Sequence, residues 1–400
     1  MTLRLDSESN RPTWAASRRL QRVQTPIIPL IAQLIRENPG TLSLGQGVVS
    51  YGPPPSAHAA LELGMSNLEN HKYRPVIGLP ELVEAFAQKL AIENGIAPTV
   101  DRTLMVTAGS NLGFANALLA IADPGDEVIL QTPYYFNHEM AVTMASCKPV
   151  LVPTNDRFQL DLEGIQRAIT SRTRAVVTIS PNNPTGAVYP ESDLKQVNQL
   201  CAEAGVFHIH DEAYEHFVYD GTRHYSPASD IRSAPHTVSL FSMSKGFGFA
   251  SWRIGFLLAP RALNEALLKT QDTLLICAPV ASQFAALGAL QVGRAWPVEH
   301  SPILQASRQV VRSGLTEVAD FCETPVAEGA FYFLVRVGSD REPLALATEL
   351  IQRFGVAVVP GNAFGATGCC LRLSYGALTA ETAGGAMDRF ISGLRSLCAR

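Results

Sequence analysis

Between residues 127 and 258, short β-branched apolar runs alternate with stretches whose apolar residues recur at helical spacing. No other feature of this 400-residue chain constrains its fold as strongly. The pattern is that of strands laid side by side in one direction, with helices carrying the chain back across the sheet. Runs at 127–131, 175–180, 206–210, 237–242 and 254–258 are predicted strands, and 191–204 is a predicted amphipathic helix. The last third changes character, with a long helical stretch from about 301 to 321, an apolar run at 330–337, a further helix and a short run at 370–374. The expectation is an α/β protein with a mostly parallel sheet covered by helices and a smaller α+β domain. A helix near 28–37 precedes the sequence Gly52-Pro53-Pro54-Pro55 and is expected to pack on the C-terminal part. The predicted division is an N-terminal arm belonging with the small domain (1–50), a large domain (51–295) and a small C-terminal domain (296–400).

Composition narrows the class. With 46% hydrophobic and 17% charged residues the chain can bury a large core, so a disordered chain is ruled out. A formal net charge of −4 leaves no basic excess to displace counterions from phosphates, which argues against a nucleic-acid partner. The apolar stretch 274–290 is interrupted by Pro279, Ser282 and Gln283, so no membrane span is expected. Arg4, Arg11, Arg18 and Arg19 flank no apolar core, and Asp6 and Glu8 are foreign to a mitochondrial presequence. Seven cysteines without a C-x-x-C fit reduced, buried thiols, and the expected location is cytoplasmic.

In open α/β sheets, ligands bind beyond the carboxyl ends of the strands. Asn183 follows the run ending near Ser180, Asp211 follows His210, and Lys245 follows Ser242. An amide, a carboxylate and an amine converging there suit a pyridine-ring cofactor, whose protonated nitrogen pairs with a carboxylate while a lysine holds its aldehyde carbon. Farther upstream, Thr107-Ala108-Gly109-Ser110-Asn111 leads into a helical stretch at 112–121, a helix start suited to a phosphate.

Three motifs, Ser180-Pro181-Asn182-Asn183-Pro184-Thr185-Gly186, Asp211-Glu212-Ala213-Tyr214 and Ser242-Met243-Ser244-Lys245 followed by Arg253 and Gly255, occur in that order. Together they resemble the class I/II aminotransferases of fold type I, and the resemblance extends from about Leu44 to Tyr375. It implies a seven-stranded-type sheet and pyridoxal 5'-phosphate joined to Lys245 as a Schiff base. It also implies catalytic roles for Lys245, Asp211 and Tyr214. Asp211 would face the ring nitrogen, and Tyr214 and Asn183 the phenolic oxygen. Tyr135 would stack on the ring, and Gly109, Ser110, Asn111, Ser242, Ser244 and Arg253 would hold the phosphate. Tyr73 would reach that phosphate from a second subunit, which implies a homodimer with shared sites. Arg372, Asn183 and the backbone of Gly47 would bind the substrate carboxylate. His138 reads either as a support for Asp211 or as a satisfied core histidine.

The implied reaction is ping-pong transfer of an amino group from an L-amino acid to a 2-oxo acid through pyridoxamine phosphate. Residues 275–279 hold no arginine where acidic-substrate relatives commonly supply one, so a neutral or aromatic donor is expected. The residues around the cofactor leave open another reaction of the same cofactor, β- or γ-elimination or cyclisation, and a non-catalytic regulatory module. His208 and His210 share one strand face, but no further ligand pattern accompanies them, and no metal is expected. Gly45-x-Gly47 and Gly246-x-Gly248 lack the third glycine and the strand–turn–helix setting of a dinucleotide loop.

Overall fold

The computed structural model describes Trp14 and residues 16–398. Arg4, Asp6, Glu8 and Arg11 lie outside the described residues. In chain order the strands are β1 (Leu42–Ser43), β2 (Arg102–Thr107), β3 (Glu127–Thr132), β4 (Lys148–Pro153), β5 (Thr173–Ile179) and β6 (Phe207–Asp211). There follow β7 (Thr237–Ser242), β8 (Gly255–Pro260), β9 (Cys322–Glu323), β10 (Tyr332–Val337), β11 (Val356–Ala357), β12 (Val359–Pro360) and β13 (Cys370–Ser374).

Seven of them form one sheet in the order β2-β8-β7-β6-β5-β3-β4. β8 runs antiparallel to both neighbours, and every other pairing in the sheet is parallel. This is the α/β sheet expected, with its inner strands near the predicted places. The two strands missing from the sequence-based assignment, β2 and β4, are its two edges. β4 begins Lys148-Pro149 and ends at Pro153, a composition tolerated on an edge but not inside a ladder. β2 opens with Arg102-Thr103, and its polar start hides a strand that is nearly all buried.

The sheet is sandwiched because strands that are apolar on both faces must be covered on both. The helix Gly109–Ile121 contributes Phe114, Ala117, Leu118 and Ile121 to a core shared with Val128, Leu130, Val238, Leu240 and Leu257. The amphipathic helix Glu191–Ala204 places Leu194, Val197 and Cys201 against Ile129, Val176 and Val206. At about 25 cal/mol per Å² such apolar burial dominates the stability of a domain this size.

A second sheet, β12-β13-β10-β9, is wholly antiparallel, and β1 pairs in parallel with β11 beside it. The helix Ile27–Glu37 packs Ile27 and Ile31 onto Ile351, Ala357, Val359 and Phe364, so the N-terminal segment does meet the C-terminal third. The long helix runs Ala295–Thr316, beginning before the predicted start and passing through Pro302. No helix among the described residues is long and apolar enough to cross a membrane.

Candidate active site

The parallel strands β5, β6 and β7 deliver three functional groups to their carboxyl ends, on one side of the sheet. Asn183 lies in the turn just beyond β5, Asp211 is the last residue of β6, and Ser242 ends β7. Ser242 then caps a single helical turn, Met243–Gly246, its hydroxyl accepting from the Ser244 N–H at 3.2 Å, and this turn carries Lys245. From the next strand over, Arg253 precedes β8 with φ +55, an αL conformation uncommon for a side chain of this size.

The predicted helix start lies three residues earlier than expected, at Gly109, which brings Ser110 and Asn111 into the first turn, where backbone N–H groups lack helical partners. Packing there leaves room only for glycine. Gly109 has φ +78, and a Cβ on it would strike the Arg253 guanidinium. A Cβ on Gly255 would lie 2.7 Å from the Gly109 carbonyl carbon and the Ser110 nitrogen. Arg253 is held by donating to Ala250 O at 2.9 Å and Ala108 O at 3.4 Å.

These groups face one cavity. Ser110, Asn111, Ser242, Ser244 and Arg253 line it, a set of donors suited to an anion, together with Tyr135, Asn183, Asp211, Tyr214 and Lys245. Lys245 Nζ donates to Gly47 O at 2.5 Å. Desolvation, reinforced by the positive charges of Arg372 and Arg253 and opposed by Asp211, brings its pKa down to about 8. The buried Asp211 accepts from the Ala213 N–H at 2.9 Å through Oδ1, and its Oδ2 lies 3.2 Å from His138 Nε2. That imidazole makes no aligned hydrogen bond and stacks on Phe114 with centroids 4.0 Å apart. Of the two readings left open for His138, the structure places it beside Asp211. Tyr135 stands edge-on to the His138 ring, its hydroxyl accepting from Asn137 Nδ2 at 2.9 Å.

Arg372, on β13, is 2% exposed. It donates from Nη1 to Asn183 Oδ1 at 2.9 Å and from Nη2 to Gly45 O at 2.8 Å, and lies over the rings of Tyr332 (4.5 Å) and Phe364 (5.0 Å). Its Nε has no partner, and no carboxylate among the described residues pairs with it. A buried guanidinium without a counter-ion is costly unless an anion arrives. The segment 44–47 is brought within reach by β13, where Ser374 N donates to Leu44 O and Ser374 Oγ to Gln46 O, both at 2.6 Å.

Four of the sequence-selected residues do not line the cavity of their own chain. Gly109 adjoins it behind Arg253, Arg372 meets it through Asn183, Gly47 meets it through Lys245, and Tyr73 is 80% exposed. His208 and His210 do not join a site either. Both meet the Thr178 hydroxyl, at 2.7 and 2.6 Å, and burial lowers both pKa values, that of His208 to about 3. Tyr332 was missed: its hydroxyl lies 2.7 Å from that of Tyr214. It sits in the continuous apolar run 330–335, where no alternation marks which residues face inward.

Residues 39–390 match the family model for aminotransferase class I and II. An aromatic aminotransferase of Arabidopsis thaliana is 33% identical over 390 residues, covering 95% of this chain and 96% of the relative. An aspartate aminotransferase of Pyrococcus abyssi is 34% identical over 391 residues, covering 95% and 98%. The solved aspartate aminotransferase of Thermus thermophilus with maleate superposes with a TM-score of 0.85 at 31% identity, covering 95% of this chain and all of that one (100%). The lysine, carboxylate and helix start gathered at the strand ends thus belong to a fold shared along nearly the whole chain, and the chain is a member of the class I and II aminotransferases.

Proposed function

We propose that the cavity binds pyridoxal 5'-phosphate at Lys245 and that the enzyme moves an amino group from a neutral or aromatic L-amino acid to a 2-oxo acid. The observation that carries this is the meeting of Lys245 and Asp211 in a cavity that also takes the first turn of the helix Gly109–Ile121. The donor set fits the cofactor: a carboxylate for a ring cation, an amine with lowered pKa, and a cradle at Gly109 that a Cβ would fill. When bound, the cofactor supplies an electron sink that makes the substrate Cα proton labile.

The protein's share is positioning and proton movement. Asp211 would set its negative carboxylate opposite the ring nitrogen and so keep that nitrogen protonated, with His138 beside Oδ2. Lys245 Nζ, neutral in a large fraction near pH 8, carries the proton away from Cα and returns it at the acceptor carbon. Ser110 and Asn111 N–H groups, the Ser242 and Ser244 hydroxyls and the Arg253 fork hold the phosphate. Tyr214 and Asn183 donate to the phenolic oxygen, and Tyr135 covers the ring. Arg372 binds the substrate carboxylate as a bidentate pair, with the Gly47 N–H beside it.

Tyr73 is read as serving the phosphate of a second copy, in a homodimer with shared sites. Its exposure, with that of Leu63 and Leu68, supports a face that another protomer covers. Residues 51–295 form the unit that holds the cofactor in this reading, and residues 296–400, with the N-terminal segment, supply Arg372. The relatives named above are aromatic and aspartate aminotransferases, and the absence of an arginine at 275–279 favours the aromatic choice here.

The test is chemical. Borohydride reduction of the protein loaded with pyridoxal phosphate, followed by digestion and mass spectrometry, should place the cofactor mass on the peptide containing Lys245. Label on another lysine, or none, contradicts the assignment.

A further inference from the structure

The hydrogen-bond directions around Tyr214 can be solved from groups that only donate. Arginine has no acceptor, so the contact of Arg372 Nη1 with Asn183 at 2.9 Å must end on the amide oxygen. That orients the amide and leaves Asn183 Nδ2 pointing at the Tyr214 hydroxyl, 3.3 Å away, as a donor. The Tyr214 oxygen already accepts one bond. Its other protein neighbour is the Tyr332 hydroxyl at 2.7 Å, and only one of the two protons can lie between them.

Tyr332 decides which. It is 1% exposed, and its hydroxyl has no other hydrogen-bond partner among the described residues. On its far side stands Gly47, so close that a Cβ there would fall 2.6 Å from the Tyr332 oxygen. A carbon is no acceptor. If Tyr214 donated to Tyr332, the Tyr332 proton would be left buried without a partner, which is the costlier arrangement. Burial keeps both phenols protonated, pushing that of Tyr332 up to about 12 and that of Tyr214 well above its ordinary value. Tyr332 therefore donates, Tyr214 accepts twice, and the Tyr214 proton is turned out into the cavity that Tyr214 lines.

We infer that Tyr332 is a positioning residue whose hydroxyl aims the Tyr214 proton at the cofactor's phenolic oxygen. The inference rests on the reading of the cavity as a pyridoxal phosphate site. Tyr332 does not itself line the cavity and acts through Tyr214, which does. Its ring has a separate duty beneath the Arg372 guanidinium, at 4.5 Å. The substitution Tyr332→Phe separates the two, keeping the ring and removing the hydroxyl.

The readout is the pH midpoint of the visible absorbance change of the cofactor-loaded protein, measured without substrate. A proton aimed at the phenolic oxygen favours the deprotonated form of the chromophore and holds that midpoint down. Tyr214→Phe, which removes a charge-assisted bond outright, should raise it by about one to two units. Tyr332→Phe, acting at one remove, should raise it by about half a unit. In the Tyr214→Phe background, Tyr332→Phe should add nothing. Replacing Tyr332 by 3-fluorotyrosine, a stronger donor of nearly the same shape, should shift the midpoint the other way and serves if the Phe variant does not fold.

An unchanged midpoint in Tyr332→Phe, an additive shift in the double variant, or an upward shift with fluorotyrosine overturns the role of Tyr332 while leaving the cofactor site intact. Absence of any visible band in the unsubstituted protein overturns the cofactor reading and this inference together.

Discussion

Arg372→Lys is the perturbation for which the structure gives the sharpest expectation. The wild-type guanidinium is buried, carries no carboxylate partner, and is fixed by two donors to Asn183 Oδ1 and Gly45 O with aromatic rings at 4.5 and 5.0 Å. Lysine keeps the charge and loses the planar fork. A substrate carboxylate then forfeits one of two charge-assisted bonds, about 1.5–3 kcal/mol, which corresponds to a fall in kcat/KM of roughly 10- to 150-fold. The protein oxygen that loses its donor is unsatisfied with or without substrate, so that cost falls on stability and not on kcat/KM. The assay compares L-phenylalanine with 2-phenylethylamine, the same amine without its carboxylate, by following loss of the visible band in the absence of any oxo acid. Wild type should favour the amino acid strongly, and the variant should lose most of that preference while handling the amine about as before. A variant that keeps its preference to within about threefold, or loses rate equally on both compounds, refutes the assignment of Arg372 to the carboxylate.

Other perturbations probe the remaining parts. The Lys245 pKa of about 8 is lowered, so the neutral amine gains as pH rises, and the rate of cofactor loading onto apoprotein should climb through about pH 8 and then level; a midpoint near the ordinary lysine value contradicts this. Gly109→Ala puts a Cβ at φ +78 against Arg253, and should weaken cofactor binding at least about tenfold by titration, with unchanged binding counting against a phosphate cradle there. Lys89 lies 2.5 Å from Glu215, and although burial alone would raise that carboxyl, Lys89 and the nearby histidines hold it down to about 2. Lys89→Met removes the cation from the buried carboxylate, leaving it the Asn94 amide at 2.7 Å, and should cost about 3 kcal/mol in urea unfolding, whereas a loss under about 1 kcal/mol would mean the pair is incidental.

What was legible in the sequence follows from how local each signal is. Asn183, Asp211 and Lys245 stand at the ends of inner strands, where a run of β-branched residues stops abruptly and a reactive side chain follows, so strand ends and site residues were found together. Edge strands obey weaker rules: β4 carries prolines at both ends of a partly exposed run, and β2 starts with arginine. The helix Ala295–Thr316 lies about six residues toward the N-terminus of the predicted 301–321, and it tolerates Pro302 in its interior, where a proline ordinarily breaks a helix. Tyr332 lay beyond reach for a different reason. Its place comes from facing Tyr214, Gly47 and Arg372, three residues far away in the chain. The pairing of β10 with β13 brings Arg372, the Ser374–Leu44 bond brings the Gly47 segment, and the Val218–Gly329 bridge brings Tyr214.

Whether Lys245 holds pyridoxal phosphate and passes an amino group onward is decided by one absorbance experiment. Cofactor-loaded protein is mixed with a panel of L-amino acids and no oxo acid. Loss of the visible band and growth of a near-ultraviolet band with an aromatic donor, reversed on adding a 2-oxo acid, is the predicted result. A visible band that no amino acid discharges, or conversion that survives in Lys245→Ala, contradicts it.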